Sequence, residues 1–396
     1  MAVIFAPCSQ STYSHPKSSL ERATLDKQEI TGQGLLPMQS PRKLILHIGS
    51  QKTGSTTLQR TLYANQSHLL EQGWSLFCST PAGKSTSRGN VNKWINDRVA
   101  GGSVRRGFAE QLNKLNGDVI ASSEGFSWLS THQAVDELGS ELKRFFDQVR
   151  VFVYIKRQDL MVISHYQQGS KKSPAYRFYA SGNRALPPYR PAYQNLLNYN
   201  QRLSSWAEIF GETNLFIRVC DRQTLEGGDV VDDFSFVSGL QLPDRIPWRN
   251  VSNGFEKTKV GHLMTSLDIP QHMRRHIESG LDNTGKLKPS ATQARQFYDH
   301  FREGNKSLNA RFRVTEHEYL FNDDFSMYPD AAEDTWSEKS ANQAIENILV
   351  AAKDMNYLSM KDADTLRECG EALKETDPEG ASWLLALASN AARPWL

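Results

Sequence analysis

The stretch Leu46-His47-Ile48-Gly49-Ser50-Gln51-Lys52-Thr53-Gly54-Ser55-Thr56-Thr57-Leu58-Gln59 decides the fold. Just upstream, 43–48 is an apolar run that reads as a buried strand; downstream, Leu58, Leu62, Leu69 and Leu70 recur with helical spacing. A strand that ends in a glycine-flanked turn and feeds a helix brings backbone N–H groups and the positive end of a helix dipole to one point, which makes an anion site. Nucleoside-triphosphate loops place Lys directly after the second Gly. Here Lys52 precedes Gly54 by two residues and Ser55 follows it, so the cation reaches the anion from the loop rather than from the helix start.

Working outward, 118–122, 150–155 and 214–219 read as further strands, and 133–146, 160–171 and 196–210 as helices. That alternation predicts an α/β fold with a P-loop-type parallel sheet flanked by helices. After about residue 250 the pattern turns helical, at 260–266, 271–279, 291–304 and 340–355. A final helical hairpin at 362–394 breaks at Asp377-Pro378. The expected organisation is a disordered tail over 1–42, an α/β domain over 43–330 and a helical C-terminal extension over 331–396.

Composition narrows the function classes. Among 396 residues, 46 Lys and Arg balance 44 Asp and Glu, which argues against a nucleic-acid binder held by bulk positive charge. The longest apolar runs, such as 149–155, fall well short of the roughly 18 residues of a membrane span, so no integral membrane association is expected. Four scattered cysteines at 8, 78, 220 and 369 fit neither a disulfide framework nor a zinc site. These features and the lack of a full secretion signal lead to a cytoplasmic expectation, with access to the membrane surface left open.

The 46–59 stretch closely resembles the 5′-phosphosulfate loop of sulfotransferases that use 3′-phosphoadenosine 5′-phosphosulfate, in the form found in bacterial carbohydrate sulfotransferases. A second motif agrees: 151–157 ends in Arg157, and Ser164 follows seven residues later in Val162-Ile163-Ser164-His165-Tyr166. Arg249-Asn250-Val251-Ser252 is similar to a short stretch that lies near the cofactor in that family, and the likeness spans about 43–255. The resemblance implies a PAPS-dependent sulfotransferase domain, without metal, in which Gly49, Ser50, Gln51, Lys52, Thr53, Gly54, Ser55, Thr56 and Thr57 hold the 5′ end of the cofactor. It implies that Arg157 and Ser164 grip the 3′-phosphate and that Asn250 and Ser252 lie beside it. The product would be adenosine 3′,5′-bisphosphate.

Sulfuryl transfer needs a base for the acceptor hydroxyl and a cation at the departing oxygen, by analogy with phosphoryl transfer. Lys52 suits the second task. Glu124, just past the strand at 118–122, is the favoured base, with His165 and His47 as competitors; His47, inside a strand, reads first as a core residue. The acceptor is expected to be a glycan, because the 171–191 loop interleaves Lys171, Arg177, Arg184 and Arg190 with tyrosines including Tyr189, a mixture suited to sugar faces and anionic groups. His272 and His276 share a helix face but lack the other parts of a metal motif. Two alternatives stand beside the sulfotransferase reading: a P-loop kinase or ATPase, and a non-catalytic nucleotide-fold binding protein whose C-terminal helices dock a partner. Those helices also offer a surface for homo-oligomer formation.

Overall fold

The computed structural model describes residues 41–78, 91, 94–96, 102–171, 175–180, 182, 184–246 and 252–391. Residues 1–40 of the expected tail, and most of 79–101, lie outside the described residues. Five parallel strands make the main sheet: β1 (Lys43–His47), β2 (Trp74–Leu76), β3 (Asp118–Ser122), β4 (Gln148–Ile155) and β5 (Leu215–Val219). Their spatial order is β2-β3-β1-β4-β5, with β1 central, Leu44 opposite Val119 on one side and Val149 on the other. The α/β class expected from the sequence is what the chain adopts. β2 was not anticipated, since three residues after Gly73 are too short to show a period.

Side chains alternate across this sheet, and both faces are buried. Leu44 and Leu46 join Val119, Ala121, Val151 and Val153 in one core, whereas Ile45, Ile120, Phe152 and Tyr154 join another. A parallel sheet buried on both faces needs such continuous apolar runs. The first face is covered by α2 (His132–Leu142) and α4 (Tyr199–Phe210), through Val135, Leu138, Leu203 and Trp206. The second is covered by α1 (Ser55–Ala64) and α5 (Val230–Ser238), through Leu58, Leu62, Val231 and Phe234. Between β4 and α4 the chain passes through α3 (Gln158–Tyr166).

The helical region begins with α6 (Phe255–Ser266) and α7 (Gln271–Gly280). Arg274 of α7 ties this pair to the α/β part by donating to Thr265 Oγ1 at 3.0 Å and to the Ser170 carbonyl. The final hairpin turns at Asp377-Pro378, but its first arm, α8 (Glu338–Leu373), is one 36-residue helix rather than the two pieces read from the sequence. Polar residues such as Lys361 and Asp362 interrupt the period without interrupting the helix. α9 (Pro378–Ala391) packs along it, and α8 also packs on α7.

One buried carboxylate locks α5 to the sheet. Asp233, fully buried, accepts from Tyr154 Oη at 2.9 Å, from Arg218 Nε at 2.9 Å and from the Glu226 amide at 3.1 Å. Burial and the adjacent carboxylate push the Tyr154 phenol well above its ordinary range. Asp233→Ala should lower the unfolding free energy by about 3 kcal/mol, because it strands a buried hydroxyl and a guanidinium together. Urea denaturation measures this, and an unchanged midpoint would contradict it.

Candidate functional site

The carboxyl ends of β1, β4 and β5 open into a cleft of about 1010 Å³. Ligands bind at such ends in open parallel sheets. Its floor is the loop 49–54. Gly49 (φ 95°), Lys52 (φ 66°) and Gly54 (φ 87°) take left-handed backbone conformations, which let the chain curl before α1 begins. A Cβ on Gly49 would stand 2.8 Å from Ser127 Oγ and 3.0 Å from Glu124 Cα, and one on Gly54 would stand 2.7 Å from Val230 Cγ1. Both glycines are therefore required by close approach as well as by φ.

Hydrogen bonds fix the loop from within. The Ser50 amide donates to the Tyr154 carbonyl at 2.7 Å, and the Ser50 carbonyl accepts from Thr53 Oγ1 at 2.7 Å and Ser55 Oγ at 3.1 Å. Gln51 Nε2 donates to the Glu124 carbonyl at 3.1 Å. The Ser50 carbonyl gathers hydroxyls of the loop and Gln51 ties the loop to Glu124, so Ser50, Gln51 and Ser55 shape the site rather than line it. Lys52, Thr53, Gly54 and Thr57 line it, while Thr56 is partly exposed on the first turn of α1. No side chain caps that helix, which leaves its amino end to a ligand.

The expected Arg157–Ser164 clamp is corrected. Ser164 lines the cleft and so does Lys156, whereas Arg157 is not in that lining. Alternation across β4 continues past its end: Tyr154 lies on the α1 face and Ile155 on the α4 face, so Lys156 and Arg157 diverge. Arg157 is 3% exposed and spends its donors on Asp159 (2.8 and 3.0 Å), the Asn322 carbonyl (3.0 Å), Asn322 Oδ1 (3.1 Å) and the Asp324 carbonyl (2.6 Å). Its guanidinium also sits 4.1 Å from the centre of the Phe325 ring. Arg157 thus anchors the 322–325 segment.

Glu124 opens the turn after β3, partly exposed beside the loop, and accepts from Gln59 Nε2 at 3.0 Å. Neither Glu124 nor either competing histidine is in the cleft lining; what separates them is that Glu124 is partly exposed beside the loop whereas the histidines are buried. His47 is fully buried with Nδ1 2.7 Å from Ser122 Oγ, and burial lowers its pKa to about 3. His165, 5% exposed between Trp128 and Tyr179, is lowered to about 3 by burial and then by the Lys52 charge. Imidazoles so depressed are weak bases.

The 171–191 segment departs from its expected role. Of its described aromatics Phe178 and Tyr179 are core, packed with Trp128 and Tyr193; Tyr189, half-buried, stacks on His300 at 3.7 Å, and Tyr176 is half-buried outside the cleft lining. Lys171 does line the cleft; Arg177 and Arg190 are exposed outside it, and Arg184 reaches Asp334 at 3.5 Å. Ser252 lines the cleft and accepts from Lys286 Nζ at 2.6 Å, whereas Asn250 lies outside the described residues. Sequence reasoning missed the whole wall from Cys220 to Ile246, which brings Arg222, Arg245, Leu225, Val230 and Val231 to the cleft. The Gly227-Gly228-Asp229 turn before an apolar helix was its available signal.

Among the described residues no group of three or more His, Cys, Asp or Glu side chains is placed to hold a metal ion, and no helix is long and apolar enough to cross a membrane. No protein-family model matches the chain. It is 23% identical over 223 residues to an uncharacterized protein of Archaeoglobus fulgidus, a match that covers 52% of this chain and 56% of that one. The chain thus spans about half the length of the curated relative it matches. Among solved structures it is similar to a sulfotransferase from Alicyclobacillus acidocaldarius, with a TM-score of 0.34 and 10% identity over 70% of this chain and 97% of that one. At that degree of overlap, a functional reading has to stand on the cleft itself.

Two outcomes follow. Lys156→Ala should weaken binding of adenosine 3′,5′-bisphosphate about tenfold or more with little change in stability, and Arg157→Ala should do the reverse, lowering stability by about 3 kcal/mol. Equal effects of the two on binding would contradict the divergence of these side chains. His47 and His165, two of the three buried histidines among the described residues, also make stability depend on acid. Below pH 6.5 the unfolded chain protonates imidazoles that the folded chain keeps neutral down to about pH 3. Stability is therefore full above pH 6.5 and falls as pH drops, by up to about 1.4 kcal/mol per pH unit for each histidine. Urea midpoints that stay flat between pH 6.5 and 5 would contradict it.

Proposed function

We propose that the protein transfers a sulfuryl group from 3′-phosphoadenosine 5′-phosphosulfate to a hydroxyl of a carbohydrate acceptor. The observation that carries this reading is the cleft's donor set: the start of α1 behind its glycine N-cap and Lys52 on the loop, with Lys156 just past the neighbouring strand and Ser164 of α3 also in the lining. Two separate cationic points suit a ligand with phosphate-type groups at two positions. The apolar side chains Leu225, Val230, Val231 and Ile246 all come from one wall, which suits a base. A cleft of about 1010 Å³ lies at the upper end of the range of roughly 300–1,000 Å³ for small-molecule sites, which leaves room for a second molecule.

When bound, the cofactor supplies an activated sulfuryl group on a phosphate leaving group. The chain's own residues divide the remaining work. Lys52, Thr53, Gly54 and Thr57 would hold the 5′ end, and Lys52 offsets negative charge on the departing oxygen. Lys156 and Ser164 would hold the 3′-phosphate. The Glu124 carboxylate, oriented by Gln59, takes the acceptor hydroxyl's proton.

The acceptor class rests on the opposite wall. There Gln167, Gln168, Lys171, Ser252 and Asn253 line the cleft with amides, hydroxyls and a cation, and no aromatic ring joins the described lining. That surface suits a polyhydroxylated, anionic glycan better than a phenol or sterol, which would want an apolar slot. Transfer of labelled sulfate to polysaccharide tests the reading. Glu124→Gln should lower turnover by about a hundredfold or more while keeping bisphosphate affinity within about threefold. A variant that turns over like the wild type would remove Glu124 from the mechanism, and wild-type protein that transfers no sulfuryl group to any hydroxyl acceptor would overturn the function.

A further inference from the structure

Beneath the anion loop, on the sheet face opposite α1, a guanidinium is sealed in. Arg202 of α4 is 2% exposed. Its Nη2 donates to Ser50 Oγ at 3.0 Å, its Nη1 makes a long contact of 3.4 Å to the Ser127 carbonyl, and its Nε has no partner. The Tyr199 ring lies 5.3 Å from the guanidinium carbon. Burial lowers its pKa to about 10, which still leaves it charged at neutral pH.

The other well-buried arginines are treated differently. Arg157 makes two bonds to Asp159, and Arg274 stands 3.7 Å from Glu278. Among the described residues no carboxylate pairs with Arg202. An isolated buried cation is unfavourable, because neither water nor a counter-charge replaces its hydration. The nearest group able to use that charge is the loop. Ser50 is the loop's fixed point, bonded through its amide, its carbonyl and its hydroxyl, and the hydroxyl is the one that meets Arg202.

We propose that Arg202 is the positioning residue of the anion loop: its buried charge, joined to the loop through Ser50, preorganises the loop for a phosphate-bearing ligand, and the bound ligand supplies the missing counter-charge. This rests on the loop-binding part of the function proposed above and not on sulfuryl transfer. A merely structural arginine would stabilise the free protein. Arg202 instead trades stability of the free protein for affinity, since a buried cation joined to the loop through Ser50 attracts an anion held on that loop across a low-dielectric interior.

The test measures thermal stability and calorimetric affinity for the wild type, Arg202→Met, Arg202→Lys and Ser50→Ala. The probes are adenosine 3′,5′-bisphosphate and, separately, inorganic pyrophosphate. Arg202→Met should be at least as stable as the wild type without ligand, bind each probe at least tenfold more weakly, and lose most of the ligand-induced rise in Tm. Arg202→Lys should recover part of the affinity. If the methionine variant fails to fold, Ser50→Ala decides, with an expected loss of about threefold or more in affinity at a temperature where the variant is fully folded.

Wild-type affinity in the variants would overturn the inference, as would a methionine variant that is less stable but keeps the full ligand-induced rise in Tm. Wild-type protein that binds pyrophosphate but not the bisphosphate would sink the sulfotransferase reading and leave Arg202 to be judged on pyrophosphate. Wild-type protein that binds neither would overturn both.

Discussion

An anion site made of backbone amides works only if something other than the anion holds the loop in shape. In this chain Ser50 meets that constraint. It is fully buried, its amide joins the β4 ladder, and its carbonyl collects the hydroxyls of Thr53 and Ser55. The loop's own polar side chains are thereby turned inward, and Lys52, Gly54 and Thr57 are left toward the cleft. Gly49 and Gly54 follow from the same constraint, because the curl that buries Ser50 drives the backbone against Glu124 and Val230. The sheet supplies the rigidity: β1 is central, flanked by β3 and β4, so the loop hangs from its best-supported strand.

Strand alternation then distributes charge around this point. Past the end of β4 it sends Lys156 toward the cleft and Arg157 to the opposite face, where the arginine binds Asp159 and the 322–325 segment. The C-terminal region is thus tied to the same strand end that sends Lys156 to the cleft. The arrangement gives Tyr328 a place as well, since its hydroxyl donates to Asp159 at 2.6 Å.

The sequence made the local features legible. The apolar run at 43–48, the two glycines and the leucine spacing beyond them define strand, loop and helix without tertiary information, and Glu124 was readable as the residue after a strand end. What failed were choices between neighbours and between burial states. Arg157 was expected at the 3′-phosphate from the likeness of its motif, with a fork that matches phosphate chemistry, but register rather than chemistry decides which side chain faces the cleft. The aromatics of the 171–191 loop look like a sugar platform in one dimension, but Phe178 and Tyr179 are core because Trp128 and Phe297, distant in sequence, join the same cluster. The 220–246 wall left only the Gly227-Gly228-Asp229 turn as a signal and Arg202 left none, since each acquires meaning only from what packs against it.

The central claim is that the cleft is built for a nucleotide with separate 5′ and 3′ phosphate-type groups. Calorimetric titration with adenosine 3′,5′-bisphosphate and with ATP, each with and without Mg²⁺, tests it most directly. The account predicts tight binding of the bisphosphate that is independent of Mg²⁺ and stronger than binding of ATP. Preference for ATP with Mg²⁺, or no binding of the bisphosphate, would contradict it.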